Sequence, residues 1–452
     1  MSSVSRFVRS VAIVGAMTLV LGACDWTMFG YNPAHARYNT TEKTIGVGNV
    51  ASLTQTWSAS TGGDVHSSPA VANGVVYVGS EDTKLYAFNA VGNTNCSGTP
   101  KTCRPLWTAE TGNSIVDSSP AVSNGVVYVG SGGLVEHKLF AFDAAGNTNC
   151  SGSPKTCAPL WTAFMSGPVD SSPAVTNGRV YIGSADGNFY AFDAAGHTNC
   201  SGTPKVCQPL WTATAGAPGF GVTSSPAVAN GVVYVGSGDH HLYAFDAAGN
   251  TNCSGTPKTC TPLWTADLFY AVLSSPAVSN GMLYIANADG TFYAFDAAGN
   301  TNCSDTPKTC TPLWTGAVGH QITSSSPAVA NGVVYFGSLG NGTLYAFDAA
   351  GQTNCSGSPV QCQPLWSATG PFGVGSSPAV ANGVVYVGSA NHDLYAFDAA
   401  GNTNCSGTPK TCTPLWTAAT GDQVVSSPSV ANGWVYVGSN DNNLYAYTLP
   451  TP

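Results

Sequence analysis

The sequence predicts an all-β fold of eight similar sheets, and three observations lead to this prediction. The tripeptide Ser-Ser-Pro recurs eight times at intervals of 50 to 53 residues, so most of the 452-residue chain is one repeat array. An Asn-Gly pair follows each tripeptide between two apolar runs, which is a strong β-hairpin signal. The run at 75–78, Val-Val-Tyr-Val, is apolar throughout, and this predicts a strand that is covered on both faces.

Each unit is interpreted as four antiparallel strands, A to D. In the first unit, strand A lies at 69–71, strand B at 75–78 and strand C at 85–88, and strand D begins at Trp107. Sheets covered on both faces must stack face to face, and radial stacking of four-stranded sheets gives a β-propeller. The small residues of strand A suit the crowded axis, and the tryptophan of strand D suits the wider rim. We therefore expect an eight-bladed propeller over residues 55–449.

The ends of the array predict how the propeller closes. The last unit stops at 444–447 without a tryptophan strand, and an unpaired Trp-Ser-Ala segment at 57–59 precedes the first unit. The N-terminal strand is thus expected to supply strand D of the last blade. A linear solenoid would need distinct capping units, and the sequence contains none.

Fourteen of the 15 cysteines form seven pairs with six residues between the partners, each in a C–D loop. We predict seven local disulfides, which fit an oxidising compartment. Apart from His197 near Cys200, no loop carries a second pair or a histidine that could complete a zinc site, and no haem-attachment motif is present. The predicted disulfides are Cys96–Cys103, Cys150–Cys157, Cys200–Cys207, Cys253–Cys260, Cys303–Cys310, Cys355–Cys362 and Cys405–Cys412.

The first 23 residues have the pattern of a lipoprotein signal peptide. Two arginines precede an apolar run at 11–21, which is too short to span a membrane, and Leu-Gly-Ala-Cys follows at 21–24. This ending resembles a bacterial lipobox, which implies cleavage before Cys24 and lipidation of that residue. Residues 24–54 are then a tether and lead-in. We expect an exported, membrane-anchored lipoprotein of the periplasm or the cell surface.

Composition excludes one class of partner. The formal net charge is −9, and phosphate binding needs a basic surface, so nucleic acid is not expected to bind. Charged residues are only 8% of the chain, which suits many short strands and tight turns.

We expect the chain to be a monomer.

The repeat resembles the pyrroloquinoline-quinone (PQQ) type. The resemblance rests on Tyr-Val-Gly-Ser at 77–80, Leu-Tyr-Ala-Phe at 85–88 and Trp107, it covers about residues 55–447, and the lead-in at 25–30 is also similar. In that family the C–D turn is usually Asp-x-x-Thr-Gly-Lys. This chain instead carries Asp-Ala-Ala-Gly, as at 143–146, and a cysteine-bounded loop.

Two branches of that family imply different functions. Quinoprotein dehydrogenases are enzymes that hold PQQ and calcium in the channel, usually against a disulfide between adjacent cysteines, and this sequence has no adjacent cysteines. The non-catalytic BamB-like branch contains eight-bladed envelope lipoproteins that act as scaffolds. We expect a binding or scaffold module without a cofactor. A PQQ-dependent dehydrogenase and a ligand-sensing propeller with a site at the channel mouth remain the alternatives.

Comparison of the units with one another indicates which face binds a partner. The A–B and C–D loops share one face and are nearly invariant, whereas the D–A and B–C loops share the opposite face and differ in every unit, as binding loops do. We expect an envelope protein to bind the variable face, and we expect His66, Asp117 and Asp170, which precede Ser-Ser-Pro tripeptides, to line the channel mouth. The aromatic residues of the variable face are Phe164, Phe220, Phe269, Tyr270 and Phe372. Its acidic residues also include Asp64, Glu81, Asp82, Glu110, Glu136, Asp186, Asp239, Asp267, Asp289, Asp393, Asp422 and Asp441.

The invariant face carries a lysine in six of its cysteine-bounded loops. We hypothesise that this face looks toward an anionic membrane and that the acidic face looks outward. The lysines are Lys101, Lys155, Lys205, Lys258, Lys308 and Lys410.

Overall fold

The structure is a computed structural model that describes residues 24–133, 136–216, 219–322, 325–369 and 373–450. Over these ranges the chain forms eight sheets around one axis. Strand A of each sheet contacts strand A of the next, and the eighth contacts the first. The predicted eight-bladed propeller is confirmed.

The four strands of each blade follow the repeat in order. Strand A comprises Ala70–Ala72, Ala121–Ser123, Ala174–Thr176, Ala227–Ala229, Ala277–Ser279, Ala328–Ala330, Ala379–Ala381 and Ser429–Ala431 in blades 1 to 8. Strand B comprises Val75–Gly79, Val126–Ser131, Arg179–Gly183, Val232–Gly236, Met282–Ala286, Val333–Ser338, Val384–Gly388 and Trp434–Ser439. Strand C comprises Lys84–Asn89, His137–Asp143, Asn188–Asp193, His241–Asp246, Thr291–Asp296, Thr343–Asp348, Asp393–Asp398 and Asn443–Thr448. Strand D comprises Trp107–Glu110, Trp161–Met165, Trp211–Thr214, Trp264–Asp267, Trp314–Ala317, Trp366–Thr369 and Trp416–Ala419 in blades 1 to 7, and Thr54–Ser60 in blade 8.

Blade 8 is built from both ends of the chain. Thr54–Ser60 pairs antiparallel with Asn443–Thr448, and Ser60 lies opposite Asn443. The predicted closure by the N-terminal strand is therefore confirmed. It joins the first and last repeats through backbone hydrogen bonds within one sheet.

The seven disulfides form within the described residues, and each closes a short hairpin. The hairpins have a role beyond closing a loop, because each adds to strand D of the preceding blade. Thr156 of the blade 2 hairpin lies parallel to Thr108 of blade 1, for example. The hairpin strands are Cys96–Gly98 with Lys101–Cys103, Cys150–Ser151 with Thr156–Cys157, Cys200–Ser201 with Val206–Cys207, Cys253–Ser254 with Thr259–Cys260, Cys303–Ser304 with Thr309–Cys310, Cys355–Ser356 with Gln361–Cys362, and Cys405–Ser406 with Thr411–Cys412.

Side-chain hydrogen bonds also join neighbouring blades. The Tyr77 hydroxyl and the Trp107 indole of blade 1 both donate to the Ala144 carbonyl of blade 2, at 2.9 and 3.2 Å. The tyrosine bond recurs in blades 2 to 6 and in blade 8. Blade 7 is the exception, because blade 8 lacks the Asp-Ala-Ala-Gly turn, and the buried Tyr386 hydroxyl finds no partner in the described ranges.

The lead-in at 24–39 lies across the inner edges of strand A. The backbone amide of Val71 in blade 1 donates to the Trp26 carbonyl at 2.7 Å, and that of Val380 in blade 7 donates to the Arg37 carbonyl at 2.8 Å. The same bond from the central valine occurs in blades 2, 4, 5 and 6. A short strand, Tyr38–Asn39, then pairs parallel with strand A of blade 7, and a 3-10 turn at Val50–Ser52 precedes the closing strand. The lead-in therefore supplies carbonyl partners for amides that face the axis.

The core lies between the sheets, and most residues of strands A to C are buried in every blade. No helix among the described residues is long and apolar enough to cross a membrane.

The second serine of each Ser-Ser-Pro tripeptide forms a further link between blades. The amide of Ser119 donates to Oγ of Ser172 at 2.9 Å, and the bond repeats around the ring until Ser427 donates to Ser68 at 3.0 Å. The other members are Ser68 to Ser119, Ser172 to Ser225, Ser225 to Ser275, Ser275 to Ser326, Ser326 to Ser377 and Ser377 to Ser427. The ring is closed, so each blade is fixed to both neighbours at the axis.

Removing one hydroxyl from this ring tests its contribution. Ser172→Ala leaves the buried amide of Ser119 without its partner, and we expect the free energy of unfolding to fall by about 0.5–2 kcal/mol. Urea unfolding measures the loss. Ser201→Ala, at an exposed hairpin serine, is the control and should change stability by less than about 0.5 kcal/mol. Equal losses in the two variants would contradict a special role for the ring.

Candidate functional site

A cavity of about 580 Å³ occupies the propeller axis. Its wall is the ring of eight second serines, and its mouth is formed by the D–A loops. The mouth residues include His66 of the loop that enters blade 1, Asp117 of blade 2 and Asp170 of blade 3. The three residues predicted to lie at the channel mouth thus line one opening on the variable face. Ligand binding by them stays a prediction.

The serine hydroxyls of the wall keep unused hydrogen-bonding capacity. Each oxygen accepts a backbone N–H from the preceding blade, and none of the eight donates its proton to another group in the described structure. A hydroxyl is both a donor and an acceptor. The cavity wall therefore presents a ring of hydrogen-bond donors to whatever fills it.

The inner end of the cavity is formed by Phe29 from the lead-in. The guanidinium of Arg37 stacks on its ring at 3.9 Å, and the ring of His35 meets its edge at 5.5 Å. Both side chains are fully buried, and burial lowers the pKa of Arg37 to about 9. Burial, reinforced by the charge of Arg37, lowers the pKa of His35 to about 3, so His35 is neutral at pH 7. The lead-in thus places one buried positive charge behind an aromatic floor.

A small cluster of acidic side chains lies around His66 at the mouth of the cavity. Nδ1 of His66 lies 3.5 Å from a Glu81 oxygen and 3.8 Å from an Asp117 oxygen. The loops around the mouth partly desolvate the Asp117 carboxyl and raise its pKa, although its side chain is 65% exposed, and the neighbouring His66 opposes this shift. Burial and the charge of Asp117 also raise the pKa of Asp170, against the effect of His137. The group is held by loops of three adjacent blades, so its geometry depends on blade packing.

An exposed aromatic surface lies beside the mouth on blades 4 and 5. Phe269 is 71% exposed and Tyr270 is 53% exposed, and Leu273 of the same loop lines the cavity. Phe220 of the preceding D–A loop is also exposed and contacts the ring of His240 at 6.1 Å. We call Phe220, Phe269, Tyr270 and Leu273 the aromatic arc. Its two loops are joined through blade 4, because the Leu268 amide donates to the His240 carbonyl at 2.8 Å.

The backbone holds the most exposed ring of the arc in an unusual conformation. Phe269 has a φ of 65°, in the left-handed region that a bulky residue rarely adopts. Its amide is fixed by a hydrogen bond to Asp267 Oδ1 at 2.8 Å. Outliers of this kind cluster at functional sites. Phe164 is exposed on blade 2, away from the arc, and Phe372 lies outside the described residues.

The carboxylates described at the cavity mouth are too few for the calcium site of a quinoprotein dehydrogenase. Within the described ranges, no group of three or more His, Cys, Asp or Glu side chains is placed to hold a metal ion. Calcium takes six to eight oxygen ligands, and the cavity mouth offers the carboxylates of Asp117 and Asp170 with serine hydroxyls below them.

Comparison with known proteins identifies the family. The protein-family model described as outer membrane protein assembly factor BamB matches five overlapping stretches of the chain, which together span residues 49–451. The stretches are 49–148, 99–249, 208–351, 303–400 and 361–451. The chain is therefore a PQQ-repeat β-propeller and belongs to the BamB family. No curated protein matches it in sequence.

Solved structures share the fold at low identity. BamB from Moraxella catarrhalis is 16% identical, with a TM-score of 0.61 over 89% of this chain and 99% of that one. The quinohemoprotein alcohol dehydrogenase ADHIIG from Pseudomonas putida HK5 is 15% identical, with a TM-score of 0.66 over 95% of this chain and 82% of that one. The computationally designed Ika8 protein is 14% identical, with a TM-score of 0.61 over 87% and 99% of the two chains. The BamB and dehydrogenase neighbours are equally close in structure, so these similarities show the fold alone.

Sequence reasoning missed the floor of the site. Phe29, His35 and Arg37 lie in a segment interpreted as a tether and lead-in, and their contact with the cavity depends on the path of that segment across the blades. The serine wall of the cavity, by contrast, was visible in the sequence. Ser-Ser-Pro occurs in every unit, at a position where small residues were expected near the axis, so its second serine could have been predicted to line the channel.

The raised pKa of Asp170 predicts how stability depends on pH. Folded Asp170 keeps its proton to a higher pH than the unfolded chain, whose ordinary value is 3.8. Stability is therefore lost as the pH rises from the ordinary value through the raised one. Asp170→Asn should raise the melting temperature at pH 7 and leave it unchanged near pH 3. Thermal unfolding at the two pH values measures this, and an equal shift at both would contradict the prediction.

A second aspartate supplies a control of opposite sign. Burial alone would raise the pKa of Asp193, but hydrogen bonds from the amides of Thr198, His197 and Ala195 outweigh it and lower the pKa. Asp193→Ala should therefore destabilise the protein at pH 7 and do so less at a pH below its lowered pKa.

Proposed function

We propose that this chain is an exported, lipid-anchored and non-catalytic propeller that binds a protein of the bacterial cell envelope through its D–A and B–C loops. Membership of the BamB family supports a binding role. The seven disulfides support an oxidising, extracytoplasmic location. The loops of the variable face differ from blade to blade, and this is the pattern expected of a surface that recognises one partner.

The observation that carries the proposal is the aromatic arc beside the channel mouth. Monomeric proteins seldom expose several large apolar side chains together without a function. Exposed aromatic residues are also the residue types that contribute most to protein interfaces. Phe220, Phe269 and Tyr270 are all more than 40% exposed, and a strained backbone holds Phe269 outward.

The charges around the arc define the partner's chemistry. Asp117 and Asp170 line the same cavity as Leu273 of the arc, and Glu81 lies 3.5 Å from His66 at its mouth. A complementary surface places basic side chains over the mouth and apolar side chains against the arc. Charge complementarity of this kind would speed association and fix the orientation of the two proteins.

The position of Cys24 supports an orientation relative to the membrane. Its amide donates to Asn432 Oδ1 in the A–B hairpin of blade 8, at 3.2 Å, so the proposed anchor leaves the invariant face. The arc then points away from the membrane. The hairpin lysines contribute less than the sequence hypothesis assumed, because Lys101 and Lys155, for example, donate to the carbonyls of Gly92 and Gly146.

Site-specific cross-linking tests the proposed contact surface. A photoreactive phenylalanine analogue at position 269 should give a discrete protein adduct in cells that produce the chain, and the same group at Asn252, in a hairpin of the invariant face, should not. Tyr270→Ala should reduce the adduct by about tenfold, as expected for a hot-spot aromatic, and Phe164→Ala should not. Equal adducts from positions 269 and 252 would contradict the proposal.

The channel alternatives are tested by titration. A ligand that binds only the folded state raises the stability of a protein. If the channel does not bind PQQ, the stability of the lipid-free protein should therefore not change when PQQ and Ca²⁺ are added. Quinone absorbance and the melting temperature should be followed together. A saturable rise at micromolar PQQ would favour the dehydrogenase. A rise with other polar ligands would favour the sensing propeller, whose site would lie at the channel mouth with His66, Asp117 and Asp170.

A further inference from the structure

Over the described residues, strand D of blade 7 is the one outer strand that no hairpin of a neighbouring blade covers. The hairpins of blades 1 to 7 cover strand D of blades 8, 1, 2, 3, 4, 5 and 6 in turn. Among the described residues no disulfide hairpin of blade 8 pairs with strand D of blade 7. The outermost strand of that sheet in the described structure is Trp416–Ala419.

The covered blades show which backbone groups the hairpin satisfies. In blade 1 the Thr108 amide points away from strand C and donates to the Lys155 carbonyl of the next blade's hairpin at 3.0 Å. The same bond occurs at the matching residue of blades 2 to 6, with the same length. Two residues after that carbonyl, the hairpin cysteine is buried, as at Cys157 with 4% exposure.

Blade 7 has the same register but no such partner. Thr417 lies opposite Tyr395, as Thr108 lies opposite Tyr86, so its amide also points outward. Among the described residues no carbonyl accepts a hydrogen bond from it. Thr417 is exposed, whereas its six counterparts in blades 1 to 6 are buried or half-buried. The neighbouring Ala418 is half-buried, whereas Ala109 and the other alanines at this position are fully buried.

The lead-in replaces only part of the missing turn. The Trp416 indole donates to the Leu53 carbonyl at 3.0 Å, instead of to an alanine of the next blade. Trp416 is nevertheless 9% exposed, more than the strand D tryptophan of any other blade. The lead-in therefore covers strand D at Trp416, its first residue, and the hydrogen-bonding edge of residues 417–419 is open. Open edges pair with other strands, and proteins usually protect them.

We propose that the edge at 416–419 is a docking site for a β-hairpin of another protein, which adds parallel to strand D in the position that a disulfide hairpin occupies on the other blades. The occupant supplies one backbone carbonyl to the Thr417 amide and a small apolar side chain two residues later. A second copy of this chain has no hairpin to offer, because its seven hairpins are all engaged. Strand addition of this kind is a general mode of recognition. The site is distinct from the aromatic arc and does not depend on it.

The first test compares amide exchange in the purified chain. The Thr417 amide should exchange at least about 100-fold faster than the covered Thr265 amide, because it lacks an intramolecular hydrogen bond. Hydrogen exchange resolved to single residues measures both. Equal protection at the two positions would show that the edge is already covered, and it would overturn the proposal.

The second test uses a peptide probe. A disulfide-closed peptide with the sequence of residues 252–262, the hairpin that covers blade 3, should bind at one site and slow exchange at Thr417. Thr417→Pro removes the donor and spares the bonds to strand C, so it should abolish this binding, while Thr417→Val should retain it. The absence of slowed exchange at Thr417 at millimolar peptide, or binding retained in Thr417→Pro, would overturn the proposal. The exchange measurement on the unmodified chain remains decisive if Thr417→Pro does not fold.

Sedimentation distinguishes the occupant. The unmodified chain should be monomeric. A dimer that Thr417→Pro dissociates would show that two open edges pair with each other, and it would overturn the assignment to another protein.

Discussion

The fold depends on hydrogen bonds that pass from each blade to the next. They occur at three distances from the axis: between serines at the centre, from tyrosine and tryptophan to an alanine carbonyl in the body of the blades, and from strand D to the neighbour's hairpin at the rim. Buried polar groups of the backbone must be paired. Because each blade's partners lie in its neighbour, a single blade does not satisfy its own backbone.

The repeat was enough to predict the fold. Eight Ser-Ser-Pro tripeptides, the Asn-Gly turns and the missing last tryptophan gave the blade number and the closing strand, since these features depend on local spacing and on counting. The pairing of Thr156 with Thr108 of the preceding blade was not predictable in this way. Such a contact depends on the stacking angle between blades. The path of the lead-in was missed for the same reason, because Arg37 reaches Phe29 only after the chain has crossed the blades.

The candidate site was predictable in part. His66, Asp117 and Asp170 share one mouth because they hold the same position in successive repeats, and position in a repeat is visible in sequence. The aromatic residues of blades 4 and 5 were placed on the right face, but their continuity depends on loop contacts such as that of Leu268 with His240. The two ends of the channel differ: Phe29 of the lead-in lines one end, and loops that differ from blade to blade line the other.

The transfer of each hairpin to the preceding blade bears on how such a gene can change in length. A tandem duplication of one unit of about 50 residues adds a blade together with the hairpin that protects its predecessor. The number of uncovered rims therefore stays at one, however many units are inserted or lost. Adding blades therefore does not add uncovered strand edges that could pair with other chains. The number of blades can change without a greater tendency to aggregate. The near-identity of the units in this chain is compatible with such a history.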